Sequence, residues 1–356
     1  MKILQVIPYF CFGGAETMCE NLTYALIAMG HNVTVVSLYD EQTPIARRME
    51  EAGVRILYLD KKLGLDISMV PKLRKIMCQE KPDVVHTHLD VIKYAVAAAK
   101  LSGIKRCVHT VHNVAHEEAE GRLQKIINTI YFKLGWSVPV ALSPEVRNTI
   151  FSFYGLQENR VPMIFNGVDL RKCLPKTDYS LSEPAVLLHI GRFNEQKNHK
   201  GLLEAFSRII KSHPNCCLQL IGDGDLQEEM KTYAKTLGIQ EKISFLGSQT
   251  DVYPFLREAD IFLLPSKFEG MPMTIIEAMG TGLPIVASAV GGVPDMLEDY
   301  TSGVLIPCEP EAIAQAVLEL LNQESLRKKL GTAARENSVA FGAEHMARCY
   351  CEIYNQ

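Results

Sequence analysis

The sequence predicts an α/β protein made of two doubly wound, parallel-sheet domains in tandem. Three observations carry this. Short apolar, β-branched runs alternate with longer helical patterns along the chain. The alternation restarts after a looser stretch, Phe165 to Pro184, which holds an Asn-Gly pair, two prolines and several polar residues. The chain has 356 residues, more than one ordinary core organises and enough for two.

The elements follow in order. "KILQVIP" reads as a strand, and Glu16 to Met29 as a helix ended by Gly30. "NVTVVSL", "VRILYL", "DVVHTH", "KRCVHTVHN" and "VPVALS" complete a first series of strands, each a near-continuous apolar run of the kind that parallel sheets bury on both faces. The second series is "AVLLHIG", "CLQLIGDG", "ISFLG", "DIFLLPS" and "PIVAS", each followed by a turn or a helical segment. Domains are expected at 1–167 and 185–340, with 168–184 as linker. A last helix, about 343–356, is expected to pack back on the first domain. Strands alternating with helices require right-handed crossovers, and ligands of such sheets bind at the carboxyl ends of the strands.

Composition narrows the function. Hydrophobic content of 47% and charged content of 22% are those of a globular protein, and a net charge of −4 gives no reason to expect nucleic-acid binding. The start lacks the long apolar core of a signal peptide, and no apolar run approaches the ~20 residues of a membrane span. None of the ten cysteines forms a CxxC pair, which suggests reduced thiols and a cytoplasmic location.

Residues at strand ends carry the chemistry. In "YFCFGGAET", Gly13 and Gly14 precede a helix, so backbone N–H groups could approach an anion; a plain strand-to-helix turn explains them equally well. In "HIGRFNEQKNHKGL", Arg192 and Lys197 suit a diphosphate, one as a planar fork and one as a point charge; two solvated surface cations are the competing reading, and the place at a strand's carboxyl end favours binding. "PSKFEGMPMTIIEAMGTGLPIVAS" places Glu269 in a turn and Glu277 on a helix from about Met273 to Met279. Carboxylates only accept hydrogen bonds, so they suit sugar and ribose hydroxyls. A hydrolytic pair would flank a bond from two sides, whereas these two share one turn and its helix, which argues for holding rather than cutting. The competing reading is two solvated glutamates at a helix start. His86, His88, His109, His112 and His116 cluster at two strand ends without the spacing of a zinc site. His86 and His109 fit inside strands; His112 and Asn113 follow one and are better placed to meet a ligand. Asp223 and Asp225 in "IGDGDL" could bind a divalent ion, but a Gly-Asp turn is the favoured reading.

Together, "GGAET", "GRFNEQKN", "IGDGDL", "LPSKFEGMPMTIIEAMGTGLPIVAS" and "VGGVPDML" resemble glycosyltransferase family 4, the retaining, nucleotide-sugar-dependent enzymes of the GT-B fold. The resemblance implies two Rossmann-like domains facing a central cleft, the first binding acceptor and the second binding donor. It implies that Arg192 and Lys197 bind the diphosphate in place of a metal, so no metal or other cofactor is expected. It implies that Glu277 holds the ribose, that Glu269 contacts the donor sugar, and that the backbone of Gly270, Met271, Pro272 and Met273 lies near sugar and phosphate. Gly13 and Gly14 then correspond to the first-domain loop over the donor phosphates, and His112 to the histidine near the reacting sugar. Leu246, Gly247 and Ser248 fall in the region that contacts the base. The expected catalytic set is His112, Glu269, Arg192 and Lys197. A UDP-sugar is the expected donor ahead of a GDP-sugar, and a saccharide or lipid-linked hydroxyl the expected acceptor. The segment Glu120 to Trp136, apolar on one face with Arg122, Lys125 and Lys133, offers a peripheral contact with the inner face of the cell membrane; a helix packed on the sheet with its cations in water is the favoured alternative. A sugar-nucleotide epimerase of similar architecture and a non-catalytic nucleotide-sugar-binding subunit are the rival readings.

Overall fold

The computed structural model describes residues 1–10, 13–40, 43–119 and 121–356. Cys11, one of the ten expected thiols, and Glu120, which opens the candidate membrane segment, lie outside these. The nine described cysteines are free thiols.

The chain forms two units, one from residues 1–167 with 343–356 and one from 168–342. The first holds β1 (Lys2–Ile7), β2 (Asn32–Ser37), β3 (Arg55–Tyr58), β4 (Val84–His88), β5 (Arg106–Val111) and β6 (Val138–Ala141). They form one parallel sheet in the order β3-β2-β1-β4-β5-β6. The second holds β7 (Ala185–Ile190), β8 (Cys216–Ile221), β9 (Ile243–Phe245), β10 (Ile261–Leu264), β11 (Ile285–Ser288) and β12 (Val304–Ile306). Their order, β12-β11-β10-β7-β8-β9, is also parallel and repeats the same winding. Each sheet therefore has one point where strand order reverses, between β1 and β4 and between β7 and β10, and such a point opens a crevice at the carboxyl ends.

Burial explains the apolar runs. Leu4, Val6, Val36 and Val85 pack with helix residues such as Leu73, Ile92 and Ala95 in one core. Leu187, Leu218, Leu263 and Val286 pack with Leu202, Phe206 and Val317 in the other. Each such side chain contributes about 1.5–3 kcal/mol when fully buried. The short β12 escapes a sequence reading because three residues between Gly303 and Pro307 show no period.

The stretch expected as a linker is strapped to the second unit. Lys176 N donates to Thr281 O at 2.8 Å, and Tyr179 OH donates to Gly282 O at 3.0 Å. The buried Arg327 donates to Tyr179 O through Nε and Nη2 at 2.9 and 2.7 Å. Proline and polar residues marked irregular backbone there, and hydrogen bonding to its surroundings holds that backbone in place. In the first unit, the final helix Ala343–Asn355 packs on helix Gly14–Ala28. Tyr354 OH bonds His86 Nδ1 and Tyr350 OH bonds Thr110 Oγ1, each at 2.7 Å.

Helix Gly121–Lys133 reverses the expected orientation. Gln124, Asn128 and Phe132 are its buried face, and Gln124 Nε2 donates to Asn128 Oδ1 at 2.8 Å. Leu123, Ile126, Ile130 and, just beyond the helix, Leu134 are 46–60% exposed. No helix among the described residues is long and apolar enough to cross a membrane.

Candidate active site

In the second unit, the crevice between β7 and β10 is built by two loops. β7 ends at Ile190, and Gly191, Arg192 and Phe193 follow. The turn Glu195–Lys197 is capped by Asn194, whose side chain accepts from Lys197 N at 3.2 Å. Asn198 takes a left-handed backbone (φ 55°) and starts helix His199–Ser212. Its Nδ2 donates to Pro265 O at 3.1 Å and Cys308 O at 3.0 Å, so the loop after β7 is tied to the end of β10. Lys267 N donates to Gln196 O at 2.8 Å and reinforces the junction.

Lys197 and Glu269, 72 positions apart in the chain, meet here. Lys197 Nζ donates to Glu269 Oε1 at 2.5 Å, with side chains 16% and 5% exposed. Gln196 Nε2 lies 3.0 Å from Phe268 O and 3.5 Å from Glu269 Oε2. An ammonium has three donors, so this pairing leaves Lys197 two for a ligand. Arg192 is exposed and forms no ion pair among the described residues. One cation is thus anchored beside a buried carboxylate and a second is ready for an anion.

Helix Met273–Thr281 begins at Pro272 with no side-chain cap. Its first-turn amides point back toward Gly270–Pro272, an arrangement that suits an anion or a hydroxyl oxygen. Glu277 is 7% exposed and Glu269 8%, so neither is a solvated surface glutamate. The buried Cys173 is pushed up to about 12, first by desolvation and then by the charge of Glu277. Tyr253 is raised for the same two reasons in the same order, so both side chains lie near Glu277.

The Gly-Asp-Gly stretch after β8 is structural. A Cβ on Gly222 would collide with Gly191 O, and one on Gly224 would lie 2.5 Å from Phe193 O. Both glycines have positive φ, and Phe193 N donates to Asp223 O at 2.9 Å. The motif thus lets the loop after β8 press against the loop that carries Arg192. No metal-binding group of three His, Cys, Asp or Glu residues occurs among the described residues. Leu246, Gly247 and Ser248 follow the edge strand β9. Gly247 O accepts from Gly222 N at 2.9 Å, which places them next to the same loop. Beneath it, His199 stacks on Phe193 with ring centres 3.9 Å apart, and neither of its ring nitrogens has a protein partner among the described residues.

In the first unit, Gly13 is the N-cap of helix Gly14–Ala28, without a side-chain cap. A Cβ there would collide with Glu16 Oε2, so glycine lets that carboxylate fold over the helix start. The histidines divide by role. His86 is buried between Tyr354 and Thr110. His109, 1% exposed, bonds Glu118 Oε1 at 3.1 Å and Thr87 Oγ1 at 2.9 Å. His112 is half-buried at the end of β5, with Nε2 3.0 Å from His88 Nδ1. Glu118 holds that turn by accepting from the backbone N–H groups of His112 and Asn113, at 2.5 and 3.1 Å. Of His109 and His112, His109 is fully buried and His112 is only half-buried. His116 is exposed, 3.6 Å from Glu117. Gln196, Asn198 and Glu118 were not singled out from sequence; a polar residue beside each strand-end motif was the only signal available.

Comparison with known proteins places this geometry in context. A family profile described as "Glycosyltransferase Family 4" matches residues 12–172, and one described as "Glycosyl transferases group 1" matches 177–337. The UDP-Gal:alpha-D-GlcNAc-diphosphoundecaprenol alpha-1,3-galactosyltransferase of Escherichia coli is 29% identical over 68% of this chain and 66% of that enzyme. A Campylobacter jejuni alpha-1,4-N-acetyl-D-galactosaminyltransferase, named for an undecaprenol-diphosphate-linked glycan, is 28% identical over 97% of this chain and 96% of that one. The crystal structure of Anabaena Alr3699/HepE in complex with UDP superposes with a TM-score of 0.86 at 19% identity, covering 100% of both chains.

Proposed function

From the premise that the chain belongs to glycosyltransferase family 4 and is a glycosyltransferase of GT-B fold, we propose that it transfers a sugar from UDP to a lipid-linked saccharide hydroxyl, with retention and without a metal. The observation that carries the reading is the Lys197–Glu269 pair across the β7/β10 crevice, with exposed Arg192 on the same loop. As the glycosidic bond to the diphosphate breaks, negative charge grows on the leaving group. Arg192, the two remaining donors of Lys197 and the start of helix Met273–Thr281 stabilise it. In this reading Glu269 accepts from a sugar hydroxyl while Lys197 holds its other carboxylate oxygen, and Glu277 accepts from the ribose. Leu246, Gly247 and Ser248 meet the base. Gly270, Met271, Pro272 and Met273 lie along sugar and phosphate, Gly13 and Gly14 serve the donor phosphates, and His112 meets the transferred sugar.

The UDP and lipid-linked preferences rest on the named relatives and on the UDP-bound structural neighbour. The exposed Leu123, Ile126 and Ile130, beside Arg122 and Lys133, favour peripheral contact with an anionic membrane, where such an acceptor resides. The test is a thermal-shift screen of nucleotide sugars, followed by transfer assays with undecaprenol-diphosphate saccharides with and without EDTA. Stabilisation by UDP-sugars and EDTA-resistant transfer that preserves the anomeric configuration are expected. Stabilisation by GDP-sugars alone refutes the donor assignment, and EDTA-sensitive transfer restored by Mg or Mn refutes the metal-free one.

A further inference from the structure

Behind His112 runs a chain of buried hydrogen bonds that reaches the first strand, and its donors and acceptors can be assigned one by one. Thr23 Oγ1 donates to Cys19 O at 2.7 Å within helix Gly14–Ala28, which uses its one proton. It must therefore accept from Gln5 Nε2, also at 2.7 Å. That contact orients the Gln5 amide, so Oε1 faces His88 Nε2 at 2.9 Å, and the Cys19 thiol donates to the same oxygen at 3.3 Å. An amide oxygen only accepts, so His88 carries its proton on Nε2. His88 is fully buried, and desolvation, followed by its histidine neighbours, holds it neutral with Nδ1 bare. His112 Nε2, 3.0 Å from that bare nitrogen, must be the donor. Burial also lowers His112 to about 4, against the opposing charge of Glu118, so at neutral pH its Nδ1 is bare as well. Nδ1 has no protein partner among the described residues.

We propose that Gln5 and His88 are positioning residues that lock His112 in the Nε2–H tautomer, presenting Nδ1 as an acceptor for a hydroxyl of the transferred sugar. The proposal rests on the reading above that His112 meets that sugar. It excludes one alternative chemistry: a bare Nδ1 cannot donate to the leaving phosphate. It also explains why glutamine, histidine and threonine occupy the buried positions 5, 88 and 23 at the β1/β4 crevice, where apolar side chains would pack at less cost.

The test is histidine-labelled long-range 1H–15N NMR of the full chain at pH 7, with His112 assigned through His112→Gln, alongside steady-state transfer kinetics. His112 and His88 are expected as Nε2–H tautomers. Gln5→Met should free the chain: His112 acquires a substantial Nδ1–H population, kcat falls about tenfold, and donor KM moves less than twofold. Thr23→Val should do the same by letting the amide flip, whereas Thr23→Ser keeps the hydroxyl and both readouts, so the proposal remains testable if Gln5→Met does not fold. A wild-type Nδ1–H signal for His112, or an unchanged tautomer in Gln5→Met and Thr23→Val, overturns the proposal even if His112→Gln abolishes transfer. Near-normal turnover in His112→Gln overturns the role of His112 itself, whatever the spectra show.

Discussion

Lys197→Met tests the ion pair at the centre of the proposed donor site before any substrate is added. At an N···O distance of 2.5 Å and an effective dielectric constant near 20, the Coulombic attraction is about 7 kcal/mol, offset by several kcal/mol of desolvation on each side. Removing the cation forfeits the attraction but keeps the desolvation, because Glu269 stays 95% covered with, among the described residues, only the 3.5 Å contact to Gln196 in reach. A loss of about 3–5 kcal/mol is expected. For a unit spanning 168–342, that lowers the calorimetric midpoint by roughly 10 °C. Glu269→Gln should cost less, since Lys197 is more exposed and can reach water. The double variant should recover at least about 2 kcal/mol relative to the sum of the singles. UDP should raise the midpoint of the wild type and fail to raise that of Lys197→Met. A Lys197→Met cost below about 1 kcal/mol, or strictly additive effects, would mean that the pair behaves as a surface salt bridge and that this account of the crevice is wrong.

Three further predictions follow from the same geometry. Arg192→Ala touches no ion pair among the described residues, so stability should stay within about 0.5 kcal/mol while kcat/KM for the donor falls about 10–100-fold, the value of a charge-assisted bond; equal losses in a melt and in turnover would contradict it. Gly224→Ala forces a Cβ against Phe193 O at positive φ and should lower stability by about 2 kcal/mol or more in urea denaturation, whereas Asp225→Ala, exposed on the same loop, should change it little. Acid should weaken the fold before carboxylates titrate. Burial lowers His189 from 6.5 to about 4, so between those values the unfolded chain binds a proton that the native one refuses. Stability is complete above pH 6.5 and falls as pH drops toward 4, by about 1.4 kcal/mol per unit and about 3 kcal/mol in all for this group; a denaturation midpoint unchanged from pH 7 to 5 would rule it out.

Much of the architecture was legible because it rests on local chemistry. Strands buried on both faces are written as apolar runs, so eleven of the twelve could be read, and β12 was lost because three residues carry no period. The strand-end loops stood out because Gly, Arg, Lys and Glu break those runs. Composition misled where burial was decided elsewhere. Residues 168–184 look like a linker, yet Lys176 and Tyr179 find carbonyls on the second unit. The helix Gly121–Lys133 has an apolar stripe, yet the face it buries is Gln124, Asn128 and Phe132.

The sequence by itself determined two doubly wound parallel units, the family, and which residue types gather at the strand ends, because hydrophobic period and turn chemistry act over a few neighbouring residues. Only the tertiary structure decided which of those residues meet. Lys197 finds Glu269 across the β7/β10 reversal, and Gln5, Thr23, His88 and His112 form one directed chain of donors and acceptors. Strand order brings these pairs together from positions 18 to 83 apart, and no local pattern records which partner a buried donor will find.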